Sequence, residues 1–171
     1  RQVLVSKSPI YAGRIHIYST PGALMQHIEW AINQALGQVV SFTWVNQPLN
    51  PGSKAMEFEY KHHLPIAAKV AIALKAWHYI RFEVREVNKN TQDAIFYRAT
   101  PELGLHQVST ASNGDVVLNE HQINTILKNS LSYEKLQSNL ENALGVNWDI
   151  ELEPYRLALA SGMLDSASKS G

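Results

Sequence analysis

Apolar and polar positions recur with two different periods along this chain, and each change of period marks an element. Over residues 13–20 the period is two: Ile15 and Ile17 fall on one side, with Arg14, His16 and Tyr18 on the other, as a half-buried strand requires. From Pro21 the period lengthens. Leu24, Ile28, Ala31 and Ala35 form one helical stripe, Ser19 or Thr20 can cap its start, and Gly37 supplies a left-handed stop. Trp30 lies off that stripe among Gln26, Asn33 and Gln34, so its large apolar side chain needs a second partner.

Alternation returns over 39–47, with Val40, Phe42 and Trp44 on one face, and Pro48, Pro51 and Gly52 end it. Residues 55–60 place Met56, Phe58 and Tyr60 opposite Glu57 and Glu59, which predicts a strand paired with the one before. Residues 65–78 are helical in period: Ile66, Val70, Ala73, Leu74 and Trp77 share a stripe, while Ile72 and Ala76 point away. A strand over 80–87 then alternates Ile80, Phe82 and Val84 with Arg81, Glu83 and Arg85. The order βαββαβ is that of ferredoxin-like folds, in which both helices cover one face of an antiparallel sheet.

Beyond it, 93–100 reads as a strand, and 105–110 and 115–118 flank Asn113-Gly114 as a hairpin. Asn119 with Gln122 makes a capping-box start for a helix with Ile123, Ile126 and Leu127 inward; Ser132 starts another with Leu136, Leu140 and Leu144 inward before Gly145. The stretch 147–156, NWDIELEPYR, reads as a short acidic and aromatic segment, and the Ser-, Gly- and Ala-rich end as a tail. The expected class is α+β: an N-terminal arm over 1–12, a ferredoxin-like core over 13–87, a β-hairpin extension over 88–118, C-terminal helices and the acidic segment over 119–156, and a flexible tail over 157–171.

At 171 residues the chain suits one domain with a sizeable core. Fifteen basic residues balance fifteen acidic ones, so no global field draws the protein to nucleic acid or an anionic membrane. The absence of cysteine excludes disulfides, thiolate metal sites and cysteine nucleophiles, and it weakly favours a reducing compartment. No apolar run approaches the roughly 18 residues that a membrane span needs. The sequence opens on Arg1, without a signal-peptide pattern, so the natural start can lie upstream.

Several stretches together resemble a known family, the actinobacterial domain of unknown function 3145. They are STPGALMQHIEWAINQALG at 19–37, QPLNPG at 47–52, LKAWHYIRFEV at 74–84, TPELG at 100–104, NGDVVL at 113–118 and LGVNWDIELEPYR at 144–156. Their shared order and spacing over about 15–156 is specific where each piece alone is weak. The sequence departs from the family pattern at Lys61-His62-His63-Leu64 and after Arg156. The resemblance implies a cytoplasmic protein with no established activity. It also carries an association with fatty-acid-synthesis genes, and through that with an acyl-CoA carboxylase or another fatty-acid-synthesis component as partner.

Candidate chemistry is sparse. His16, His27, Glu29 and His78 invite an acid-base or metal reading, but His27 and Glu29 diverge on a helix and no His pair stands four residues apart. His62-His63 lacks a third ligand, and no phosphate loop, dinucleotide fingerprint or nucleophile elbow occurs. No cofactor and no metal are expected, and the reading leans away from an enzyme. Two readings remain. In the first, the chain is a non-catalytic accessory or regulatory subunit that binds a larger protein assembly. Its contacts are Trp30 and Ile72 on the helix backs and Trp148, Asp149, Glu151, Glu153 and Tyr155 in the acidic segment. That segment is expected either to cover Trp30 or to meet another chain beside it. In the second, Arg14, His16, Tyr18, Arg81 and Arg85 line an open sheet face and bind a small anionic ligand, or serve an enzyme without a recognisable signature. Cross-strand ion pairs are the plainer account of the same charges.

Overall fold

A computed structural model describes residues 8–169, so Val3, Leu4 and Val5 of the expected arm, and residues 170–171 of the expected tail, lie outside the described residues. Among the described residues the fold is mixed α+β, with five α-helices and one seven-stranded antiparallel sheet. Strand β1 (Tyr11–Pro21) leads through a short 3-10 turn at Gly22–Leu24 into α1 (Met25–Leu36). Then come β2 (Val45–Asn46), β3 (Ser53–His62), α2 (Ala67–Lys75) and β4 (Arg81–Asn88). Strands β5 (Ala94–Thr100), β6 (Gly104–Thr110) and β7 (Val116–Val117) precede α3 (Glu120–Lys128), α4 (Tyr133–Leu144) and the long α5 (Val146–Lys169). The sheet order is β2-β3-β1-β4-β5-β6-β7, so the strands after residue 88 extend the same sheet from the β4 edge.

One face of the sheet carries the main core. Ile15, Ile17, Met56, Tyr60, Phe82, Val84 and Tyr97 meet Ile28, Ile32 and Leu36 of α1 and Val70, Ala71 and Leu74 of α2. Burying each such side chain contributes about 1.5–3 kcal/mol. The α1 stripe is rotated slightly from the expected one: Ile32 and Leu36 are buried with Ile28 and Ala31, whereas Leu24 and Ala35 are only partly so. On α2 it is Ala71 rather than Ala73 that reaches the core.

Four local expectations need correction. Ser19 and Thr20 do not cap α1, because β1 runs on through Pro21 and the 3-10 turn intervenes; the stop at Gly37 stands, with φ 70° and its N–H on Asn33 O at 2.9 Å. Residues 39–44 form no strand, and only Val45–Asn46 pair with β3. Phe42 and Trp44 nonetheless pack on the core, Phe42 edge-on to Phe58 at 5.0 Å and Trp44 donating from Nε1 to Glu29 at 2.6 Å. Helix α3 has its capping box, Asn119 with Gln122, but Ile123 and Leu127 are exposed. Lastly, 147–156 is not a short separate segment followed by a tail: it lies within α5, which continues through 160–169 with Pro154 inside it.

Helix α5 changes the sheet's second face. The alternation of burial along β1 stops at Ile17, after which Tyr18, Ser19 and Thr20 are all buried, and Tyr97 to Thr100 of β5 likewise. Both stretches lie between the α1–α2 layer and α5.

Candidate functional site

Strand register sets the site. On the face under α5, Glu57 of β3 stands opposite His16 of β1, His16 opposite Glu83 of β4, Glu83 opposite Arg98 of β5, and Arg98 opposite His106 of β6. One polar row thus crosses five strands with acid and base interleaved. Opposite charges in directly facing cross-strand pairs attract at short range.

Helix α5 lies over this row. Trp148, Leu152, Tyr155 and Leu159 recur at the 4, 3 and 4 residue spacing of one helical face, with Trp148 and Leu152 buried. Trp148 donates its indole N–H to Gly104 O at 3.0 Å and lies 4.6 Å from the His106 ring. Arg156 is the hub of the polar contacts: its guanidinium meets Glu83, Asp149 at 2.7 Å and Glu153 at 2.9 Å. Tyr18 donates its hydroxyl to Glu83 at 2.6 Å. Burial works against the Arg156 charge, but Glu83, Tyr18 and Asp149 outweigh it and hold its pKa above the ordinary arginine value. Burial and the neighbouring Glu83 carboxylate raise the Tyr18 phenol, which stays protonated as the donor.

At the other end of the row, Arg98 and His106 close the C-terminus of α4. Arg98 donates to Leu144 O at 2.9 Å and His106 Nε2 lies 3.0 Å from Ala143 O, so the last carbonyls of α4 have side-chain partners. Burial lowers the pKa of both groups, and for His106 the Arg98 charge adds to it against the Ala143 hydrogen bond. A neutral His106 donating from Nε2 and accepting at Nδ1 fits both neighbours. Gly145 allows the arrangement: its φ is 78°, and a Cβ there would stand 2.0 Å from Arg98 Nη2. Arg98 Nε is buried with no hydrogen bond among the described residues.

Gln47 joins α5 to the strands. Its fully buried side chain donates to Tyr18 O at 2.7 Å and Tyr155 O at 3.4 Å and accepts from Leu49 N–H at 3.1 Å. On the opposite layer, Glu86 is buried at the start of α2 and accepts from Tyr60, Ile66 N–H and Ala67 N–H, which places a carboxylate at the positive end of that helix.

The residues picked from sequence are distributed as follows. Arg14 pairs with Glu57 and Glu59, Arg81 lies 4.5 Å over the Tyr155 ring and pairs with Glu102, and Arg85 donates to Thr110 Oγ1 at 3.1 Å. Arg14 and Arg81 thus pair with carboxylates, whereas Arg85 has a neutral hydroxyl and the Phe96 ring as partners. Asp149, Glu153 and Tyr155 are engaged by Arg156, Gln47 and Arg81. Trp148 is inside the fold, on the opposite side of the sheet from α1, so the acidic segment does not cover Trp30. Trp30 and Ile72 remain 65% and 58% exposed. Glu151 is half-buried on α5. His16 stacks on Tyr18 at 4.0 Å; burial lowers its pKa despite Glu57 and Glu83, and it joins neither His27 nor His78 in a site. Among the described residues no three His, Asp or Glu side chains gather as a metal would require.

Sequence reasoning missed Arg98, His106, Gln47 and the Glu83–Arg156 pair. The stripe Trp148-Leu152-Tyr155-Leu159 was the available signal for α5, and Pro154 masked it.

Among the described residues, no helix is long and apolar enough to cross a membrane. A family model described as protein of unknown function (DUF3145) matches residues 14–164, which takes in the first part, 157–164, of the stretch after Arg156. No curated protein and no solved structure matches the chain.

Proposed function

We propose a binding role for this chain, which belongs to the DUF3145 family: it is a non-catalytic accessory or regulatory subunit that attaches to a larger protein assembly through the outer side of its helical layer. The observation that carries this is the exposure of Trp30. A tryptophan on a helix back gains from burial, and the acidic segment expected to cover it is committed to the other side of the sheet. Ile72 on α2 and Tyr79 in the α2–β4 turn, held in the left-handed region at φ 70°, are exposed as well. Aromatic anchors of this kind dominate the energy of protein interfaces. The contact set we favour is Trp30 and Ile72 on this side; Trp148, Asp149, Glu153 and Tyr155 already have intramolecular partners, and Glu151 lies on α5, away from α1.

The order β2-β3-β1-β4, with α1 and α2 on one face, supports reading residues 13–87 as a ferredoxin-like unit, and β5–β7 with α3–α5 as its extension. Internal ion pairing of Arg14 and Arg81 speaks against an anion site built on those two residues. A fatty-acid-synthesis component or acyl-CoA carboxylase is the partner to test first. The experiment is affinity purification with wild type and with Trp30→Ala/Ile72→Ala, followed by sedimentation of the purified pair. The variant should melt within a degree or two of wild type, since exposed substitutions shift stability by only about 0.5 kcal/mol. It should also lose the partner. A variant that keeps the same partner at the same affinity refutes the assignment of this surface.

A further inference from the structure

A cleft of about 790 Å³ opens between the second half of α5 and the β2–β3 edge of the sheet, within the size range of small-molecule sites. Its apolar lining includes Val45, Ala55 and Leu159, and its polar groups include His16, Glu57 and Arg156. The walls are held in place. Gln47 bonds to both β1 and α5, and Gly162 lets α5 approach Pro48 so closely that a Cβ there would stand 3.3 Å from the proline Cγ.

The charges decide which ligands suit it. Of the two charged side chains in the lining, Glu57 and Arg156, the guanidinium is already met by three carboxylates, Glu83, Asp149 and Glu153. A carboxylate or phosphate ligand would meet a guanidinium already neutralised. The His16 ring nitrogens have no hydrogen bond among the described residues, and the imidazole is held toward its neutral form, able to accept a proton donor. Glu57 is half exposed, with one arginine contact at 3.1 Å, so its carboxylate can take a further donor.

We propose that this cleft binds a small cationic amphiphile, with a protonated amine on Glu57 and His16 and an alkyl or similar apolar body against Val45, Ala55 and Leu159. The site lies across the sheet from Trp30 and is independent of partner binding there.

The test is isothermal titration calorimetry of the full chain at pH 7.5 with n-octylamine, n-octanol and sodium octanoate. Octylamine should bind tightest, octanol more weakly, and octanoate at least about tenfold more weakly than the amine, the size of one charge-assisted hydrogen bond. Glu57→Gln should lower octylamine affinity about tenfold and leave octanol unchanged. Leu159→Trp, which fills the apolar end, should abolish binding of both, with melting curves showing that each variant is folded. Octanoate binding as tightly as octylamine, an octylamine affinity indifferent to Glu57→Gln, or no binding of any of the three probes overturns the proposal.

Discussion

Replacing Arg156 by Met probes what keeps α5 on the sheet. Met keeps much of the aliphatic volume and removes the charge together with its hydrogen-bond donors. The carboxylate of Glu83, with its side chain 15% exposed, then retains the Tyr18 hydroxyl at 2.6 Å and the Arg98 strand opposite, but loses its ion pair. Hydrogen bonds to charged groups contribute about 1.5–3 kcal/mol each. The pairs of Arg156 with Asp149 and Glu153, whose side chains are more than half exposed, add at most about 1 kcal/mol each. The expected loss is therefore about 2–4 kcal/mol, with the Glu83 contact the largest part. Glu83→Gln alone should cost about 1–2 kcal/mol, because Gln can still accept from Tyr18. If Glu83 and Arg156 act as a pair, the double variant loses less than the sum by about 1–2 kcal/mol. Urea unfolding followed by circular dichroism gives all four corners of the cycle, and hydrogen exchange on α5 amides shows where the loss falls. Additive single effects, or an Arg156→Met variant within 0.5 kcal/mol of wild type, would refute the claim that this contact anchors α5.

Two further outcomes follow from the other end of the row and from the buried imidazoles. Gly145→Ala strains a left-handed position and drives a methyl into Arg98, so thermal melting should register a loss of about 1–3 kcal/mol, whereas Gly37→Ala, with no atom near its absent Cβ, should lose less. His16 and His106 have folded pKa values below the ordinary 6.5, so the unfolded chain takes up protons first as pH falls. Their contribution is fully present above about 6.5 and is lost as pH drops from there toward the folded values. Urea midpoints measured from pH 7.5 to 5.5 should fall, and fall less in His106→Asn; identical slopes would contradict the assignment.

How far the sequence could be read depends on which contacts are local. The strand containing Ile15 and Ile17, the stop at Gly37 and the capping box at Asn119 are each specified within one or two turns of chain, and each is found where its residues predict. The alternation Val40-Phe42-Trp44 reports side chains directed inward, but inward side chains do not require a paired backbone, and β3 pairs outward only at Val45 and Asn46. Ile123 and Leu127 keep a helical spacing without a layer to bury them. The polar row was invisible because its members come from five strands, and opposition of Glu83 to Arg98 is fixed only once the register is known. Helix α5 was hidden by Pro154, whose missing N–H is a local penalty offset by long-range contacts of Leu152 and Arg156.

The interleaved row also polices strand alignment. A shift of β4 against β5 by one residue would turn Phe82 toward α5 and Glu83 into the apolar core beneath α1 and α2. A shift by two restores the faces, and hydrophobic pattern alone would not forbid it. Yet β4 presents Arg81, Glu83 and Arg85 in sequence, so sliding two residues in either direction sets an arginine directly against buried Arg98. Like charges facing each other across a ladder are repulsive, and here one of them is out of water. The single acid between two arginines therefore acts as a vernier mark, leaving one alignment of the sheet free of charge conflict at Arg98.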